Sequence, residues 1–333
     1  MEHINVLIDC DPGIDDLLAL TYALAHPQVK IKGLVASGGN TTTEQVARNI
    51  RGILELAGRQ EIPWELGAAH PLAQELETTP ETHGPRGVGY AKLPDSTTPT
   101  GKSHGEGARL WIDTVSQHPG EMIGIVLGPT TNLALALQQD PSIVQKLKAL
   151  YIMGGAINHR GNTMPTTEWN VHSDPEALHS VLRAYSQPGL SHYPVLCPLD
   201  CTESIVMTPG HRQALVAGGG TVLEAVDQAL EFYMQFHESD GLGYIAHVHD
   251  PYVTALAIND ALQDIGDTDA HILGSSTQTV LDVELDGKLT RGQTIADWLG
   301  RWGREPNGRV LTSTEPEKFF AHYIHTVRAA YAR

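Results

Sequence analysis

Short and nearly uninterrupted apolar runs recur along the chain, at Asn5–Ile8, Val29–Ser37, Glu121–Leu127, Lys148–Met153 and Tyr193–Leu196. Runs of this length, rich in β-branched residues and leucine and lacking polar alternation, predict strands buried on both faces, as in a parallel sheet. Between them the apolar positions shift to helical spacing. Helices are predicted over Ile14–His26, stopped by Pro27, after Asn40 with Thr42 or Thr43 as cap, and over Glu106–Gln117. Gly128-Pro129-Thr130-Thr131 opens another, and Pro209–Ala217, Thr221–Phe236 and Tyr252–Asn259 follow. In Thr221–Phe236 the apolar positions Val222, Ala225, Val226, Ala229, Leu230, Tyr233 and Met234 fall on one face, which reads as core. The C-terminal part predicts a strand over Thr277–Leu285, a hairpin-like turn at Asp286-Gly287 and a final helix from about Glu315.

Strands alternating with helices imply an α/β fold: a doubly wound, mainly parallel, Rossmann-like open sheet with helices on both faces. No repeat, low-complexity tract or linker divides the chain, so residues 1–333 form a single domain. Residues 75–107, rich in Pro, Gly, Thr and His, predict a long loop of the kind that serves as a lid or binding loop or is disordered.

Charge changes the picture more than composition does. With 39 acidic against 22 basic residues the formal net charge is −17, which disfavours nucleic acid and anionic membranes as partners and fits a neutral small molecule. No apolar run approaches the ~20 residues of a membrane span, and no basic-then-apolar leader precedes the first strand, so a cytoplasmic location is expected. Cys10, Cys197 and Cys201 make neither a disulfide framework nor a zinc spacing, and Cys10 reads as a small buried filler.

Part of the acidity is concentrated. Asp9, Asp11, Asp15 and Asp16 fall within eight positions, at the C-terminal end of the first predicted strand, the edge where open α/β sheets bind ligands. Asp15 and Asp16 alone are explained by the dipole of the helix they open. Asp9 and Asp11, placed directly after an apolar strand, are not. Like charges about 4 Å apart repel by roughly 4 kcal/mol at an effective dielectric near 20, and a hard cation removes that cost. Carboxylates without a thiolate or paired histidine favour Ca²⁺ or Mg²⁺ over zinc. His247 and His249, two apart, would not share a face on a helix, and no Glu or Cys stands at zinc spacing from them. Neither GxGxxG nor GxxxxGK[ST] occurs, so the usual grips on a nucleotide's phosphates are missing.

Several segments together resemble one family. VLIDCDPGIDD, residues 6–16, is similar to the DTDPGxDD-type signature of the inosine-uridine-preferring nucleoside hydrolases, with Cys10 where threonine is common. His83-Gly84 resembles the HGxxGL-like loop near that family's base pocket, although Arg86 and Val88 depart from it, and GPTTNL resembles its TGPLTN segment. GNTMPTTEWNVHSDPEA meets the GNxTPxAEFNxxxDPEA-like pattern at Gly161, Asn162, Pro165, Glu168, Asn170, Asp174, Pro175, Glu176 and Ala177. His249-Asp250-Pro251 is intact, and GKLTRGQTIAD is family-like. Some of these residues have plainer readings: Ser173 or Asp174 as a helix cap ahead of Pro175, Asp250 as a cap ahead of Pro251, Asn40 as a turn residue and His83 as a solvated loop histidine.

The resemblance implies hydrolysis of the N-glycosidic bond of purine or pyrimidine ribonucleosides to free base and ribose, by a cytoplasmic homo-oligomer, dimer or tetramer. It implies that Asp11, Asp16, Asp250 and the Leu127 carbonyl hold Ca²⁺ and that Asp11 accepts a proton from the attacking water. Asp15, Asn40, Asn162, Glu168 and Asn170 would grip the sugar, His83 would lie by the base, and His249 would protonate the departing base. Two other readings stay open. One is a haloacid-dehalogenase-like, Mg²⁺-dependent phosphohydrolase with Asp9 as nucleophile and Asp11 as acid/base, although Gly13 stands where that family has Thr or Val. The other is a non-catalytic, Ca²⁺-dependent binder of nucleosides or ribose.

Overall fold

A computed structural model describes residues 3–94, 102–267 and 270–333. Twelve strands occur among them, numbered in chain order: β1 Ile4–Cys10, β2 Val29–Ala36, β3 Trp64–Leu66, β4 Met122–Val126, β5 Leu147–Met153, β6 Val195–Cys197, β7 Val206–Met207, β8 Ala246–His247, β9 Gly274–Thr279, β10 Leu281–Val283, β11 Thr294–Ala296 and β12 Gly308–Thr314. Eight form one sheet in the order β3-β2-β1-β4-β5-β6-β12-β9. Its neighbours are parallel except β12 with β9, so the expected doubly wound, mainly parallel sheet is present.

The apolar runs form strands because both faces are covered. One core packs helices Ile14–Ala25, Thr43–Leu56, Thr221–Ser239, His249–Asp264 and Pro316–Tyr331 against β1 and β2. The other packs Glu106–Gln117, Thr131–Gln139 and Pro175–Ala184 against the opposite face. Helix Ile14–Ala25 lies against both His249–Asp264 and Pro316–Tyr331, which is why nearly all its residues are buried, polar Asp15 and Asp16 included.

Strand order fixes where a ligand can bind. From β1 the chain steps outward to β2 and β3 on one side, then returns to place β4 on the other. The loops leaving β1 and β4 therefore diverge over a crevice at the sheet's C-terminal edge. Asp11 follows β1 and Leu127 follows β4, and the Leu127 N–H donates to the Asp9 carbonyl at 2.8 Å.

Three local expectations change. Thr277–Leu285 is not one strand: β9 pairs with β12, whereas β10 pairs with β11, because the Asn307 carboxamide takes the main-chain N–H and C=O of Leu281 and breaks the ladder there. Strand β12, in the main sheet, was not expected, since only Val310 and Leu311 of GRVLTST are apolar. Within the long loop a short helix forms at Pro80–His83, and residues 95–101 of that loop lie outside the described residues.

Candidate active site

Asp16, at the third position of helix Ile14–Ala25, reaches back over the turn leaving β1. Its Oδ1 accepts from the Asp11 N–H at 3.1 Å and its Oδ2 from the Gly13 N–H at 3.0 Å. The Asn40 N–H donates to Asp11 Oδ2 at 2.7 Å, and its Nδ2 lies 3.3 Å from Asp16 Oδ2. Asn40 thus ties the two carboxylates together from the end of β2. Asp11 sits so close to the main chain that a Cβ on Gly39 would overlap its Oδ2, and one on Gly128 would stand 2.6 Å from its Oδ1. Those two glycines follow β2 and β4, which explains their place in GGN and GPTTN.

Asp250, in the first turn of helix His249–Asp264, completes the group. It is not the helix cap, a position held by Val248. Carboxylate oxygens of Asp15, Asp16 and Asp250 lie within 4.8 Å of one another, all buried. Burial, then Asp16, pushes the Asp11 and Asp15 carboxyls well above the usual carboxylate range; burial, then Asp15, does the same to Asp250, and burial raises Asp16. Asp11 Oδ1 is buried with no hydrogen-bond partner. Four buried acids with raised pKa values, three of them raised further by neighbouring carboxylates and one with an orphaned oxygen, form a donor set for a hard divalent cation.

Asp9 does not join them. Its Oδ1 accepts from Ser37 Oγ and Asn132 Nδ2, its Oδ2 from Trp111 Nε1 at 2.8 Å, and burial lifts its pKa to about 6. A fully enclosed carboxylate with both oxygens bonded is no nucleophile, which removes the aspartyl-phosphate reading. Cys10, beside it, is buried, and burial, then Asp16, drives its thiol up.

The polar loop after β5 supplies the next wall. Asn170 Nδ2 donates to the Leu127 carbonyl at 2.6 Å, so it aims that oxygen as well as lining the cleft. Both Glu168 oxygens are engaged by main-chain N–H groups of Gly155, Asn170 and Val171, which caps helix Trp169–Ser173 while the side chain still lines the cleft. Asn162 Oδ1 accepts from the Trp169 N–H. Asp174 is the cap of helix Pro175–Ala184, accepting from the Ala177 N–H, and lies outside the cleft lining.

Histidines line the cleft as well. His83 is buried rather than solvated, and its Nδ1 accepts from the Ile14 N–H at 3.1 Å. His249 contacts Thr202 Oγ1 through Nδ1 at 2.9 Å, and burial, then His247, holds its pKa well below the ordinary value. His247 ends β8 and His249 begins a helix, so the two rings lie side by side with centroids 6.1 Å apart, contrary to the expectation from a helix. They are not part of a metal group among the described residues. Tyr233, read from sequence as core, faces the cleft with Phe236 and His237. The spacing of 233, 236 and 237 puts all three on one helical face, a signal hidden because aromatic residues at that spacing also read as core. Arg160 and Glu203, not singled out from sequence, line the cleft too and bond each other at 3.1 Å.

One cleft therefore holds Asp15, Asn40, His83, Leu127, Asn162, Glu168, Asn170, His249 and Asp250 together, with Asp11 and Asp16 beneath it. Known proteins match the chain throughout. Residues 6–321 fit the family model "Inosine-uridine preferring nucleoside hydrolase". The pyrimidine-specific ribonucleoside hydrolase RihA of Salmonella agona (strain SL483) is 31% identical over 315 residues, covering 94% of this chain and 95% of that protein. Among solved structures, an inosine-guanosine nucleoside hydrolase is 28% identical with a TM-score of 0.83, covering 99% of this chain and 100% of that one. A plant nucleoside hydrolase, the PpNRh1 enzyme, is 26% identical with a TM-score of 0.84, covering 98% and 99%. With the acidic cluster, the polar loop and the histidines in one cleft, the chain belongs to the inosine-uridine preferring nucleoside hydrolase family and is a hydrolase acting on N-glycosyl bonds.

Proposed function

We propose that this protein hydrolyses the N-glycosidic bond of ribonucleosides to free base and ribose, and that it depends on Ca²⁺. The observation that carries the reading is the orphaned, buried Oδ1 of Asp11 beside three converging carboxylates. Asp11, Asp16 and Asp250 with the Leu127 carbonyl would hold the ion, and Asp15 is near enough to Asp16 and Asp250 to join them. All are oxygen donors, and one is an uncharged main-chain carbonyl, a set that favours Ca²⁺. Bound there, the cation would neutralise the cluster and lower the pKa of water in the cleft.

The chain's own groups divide the remaining work. Asp11, with one oxygen held by Asn40 and the other free, accepts the water's proton as the water attacks C1′. Asp15 and Asn170 bond the 2′ and 3′ hydroxyls, Asn162 and Glu168 close around the sugar, and Asn40 keeps Asp11 and Asp16 in register. The carboxylates also meet the positive charge that develops on the ribose. His83 borders the base, and His249, one residue from Asp250, is the proton donor to the departing base; burial keeps its ring neutral in the free protein, so it takes up a proton from water before it gives one.

The test is an assay of free base and reducing sugar across purine and pyrimidine ribonucleosides and their 2′-deoxy analogues, with and without chelator. Ribonucleosides are expected to be cleaved only when divalent cation is present, and 2′-deoxynucleosides about 10⁴-fold more slowly, since a site built to bond hydroxyls rejects analogues that lack them. Equal rates on inosine and 2′-deoxyinosine would refute the assignment of the sugar contacts.

A further inference from the structure

The relatives divide by base, one named for pyrimidines and another for inosine and guanosine, so base choice has to come from this chain's own cleft. Two histidines there have their tautomers settled by what they touch. Nδ1 of His237 lies 2.8 Å from the Tyr233 carbonyl, and Nδ1 of His247 lies 2.9 Å from the Glu203 carbonyl. A carbonyl oxygen only accepts, so each Nδ1 carries the hydrogen and each Nε2 carries a bare lone pair. Among the described residues no group bonds either Nε2. Burial holds both imidazoles below the ordinary value, His237 at about 4, so both stay neutral acceptors at pH 7.

Position makes these lone pairs a recognition element. The rings of His249, His247 and His237 follow one another with centroids 6.1 and 5.2 Å apart, all three line the cleft, and His249 is the neighbour of Asp250. With ribose at the carboxylates and the glycosidic nitrogen near His249, the opposite edge of the base meets His247 and His237. That edge carries the 4-substituent of a pyrimidine or the 6-substituent of a purine. One amino group has two N–H bonds diverging at about 120°, which reach two acceptors about 5 Å apart, a separation that two imidazoles with ring centroids 5.2 Å apart can present. A carbonyl at the same place would face both lone pairs and leave them unpaired.

Resting on the activity proposed above, we infer that His237 and His247 are specificity-determining residues that select bases carrying an exocyclic amino group, cytosine or adenine, over their oxo counterparts, uracil and hypoxanthine. The amino group is the shared chemistry, and ring size is left to the rest of the cleft.

The experiment measures kcat/KM for cytidine against uridine and for adenosine against inosine, in the wild type and in His237→Phe and His247→Phe. The wild type is expected to favour the amino member of at least one pair by about 10- to 100-fold, since the oxo member displaces water from the two acceptors and has no hydrogen to give them. The pair showing it identifies the ring the cleft takes. In either variant the ratio should fall toward one. Because His247 is only half-buried, its variant carries the comparison if His237→Phe fails to fold. Wild-type ratios near or below one in both pairs, or a ratio that survives both substitutions, would overturn the inference. Absence of hydrolysis on all four nucleosides would instead fall on the proposed activity. Calorimetric binding of free cytosine against uracil, and of adenine against hypoxanthine, would then decide the inference by the same ratio.

Discussion

Nδ1 of His83 accepts a hydrogen bond from the main-chain N–H of Ile14 at 3.1 Å, so one imidazole lining the cleft also satisfies the first turn of the helix that carries Asp15 and Asp16. The bond requires a neutral ring with its hydrogen on Nε2. Burial, then His237, keeps it so, with a pKa of about 3.

His83→Ala should therefore lose stability as well as activity, by about 1–3 kcal/mol for the orphaned N–H. His83→Asn, whose Oδ1 can take the same N–H, should recover most of the stability while remaining slow on nucleosides. Urea midpoints for the two variants check this; an unchanged midpoint in His83→Ala would show that water replaces the ring at no cost.

Burial gives the metal-free protein a definite pH dependence. The carboxyls of Asp11, Asp15 and Asp250 stand well above their unfolded value, so their contribution is present at low pH and is lost as pH rises through the folded values. The buried histidines His26, His83, His237 and His322 have lowered values, so they cost stability only as pH falls below the unfolded value near 6.5. From the unfolded carboxyl value of about 3.9 upward the carboxyls therefore withdraw stability as pH rises, against the histidines below about pH 6.5 and unopposed by them above it. A divalent cation binds the charged form of the same carboxyls, so the rise in melting temperature that a saturating cation gives should grow with pH. An increment that does not grow with pH would mean that burial does not hold these acids protonated in the metal-free fold.

His249 and Asp11 can be separated by leaving group. General acid catalysis is worth about 10²- to 10⁴-fold where the leaving group needs a proton. His249→Ala should cost that much on inosine or uridine and far less on p-nitrophenyl riboside, whose leaving group departs as an anion, whereas Asp11→Ala should be slow on both. Equal losses for His249→Ala on the two kinds of substrate would make His249 a positioning residue for Asp250, its neighbour in the same turn.

Much of this was legible in the chain itself. Glu106–Gln117 forms as expected to the residue, and the other buried strands and helices fall within a few positions, because uninterrupted apolar runs and stops such as Pro27 are local signals. The site segments converge because they share the strands' C-terminal edge. Side-chain direction was less legible. Asp9 and Asp11 are two apart and would face the same way in a continuing strand, but β1 ends at Cys10, which leaves Asp9 to Trp111 and frees Asp11 for the cleft. Strand β12 is stabilised by neighbours distant in sequence, β6 and β9, and its own residues do not advertise it. Tyr233, Phe236 and His237 are at once amphipathic face and pocket wall, and periodicity does not distinguish the two.

The most direct test of the account is to titrate Ca²⁺ into chelated protein while following bound ion and ribonucleoside cleavage on the same samples. Turnover should rise in proportion to bound Ca²⁺ and stop rising at one ion per chain, and Asp16→Asn, folded by circular dichroism, should bind no ion and lose nearly all turnover. Full-rate cleavage by protein that holds no divalent cation, or by Asp16→Asn, would contradict it.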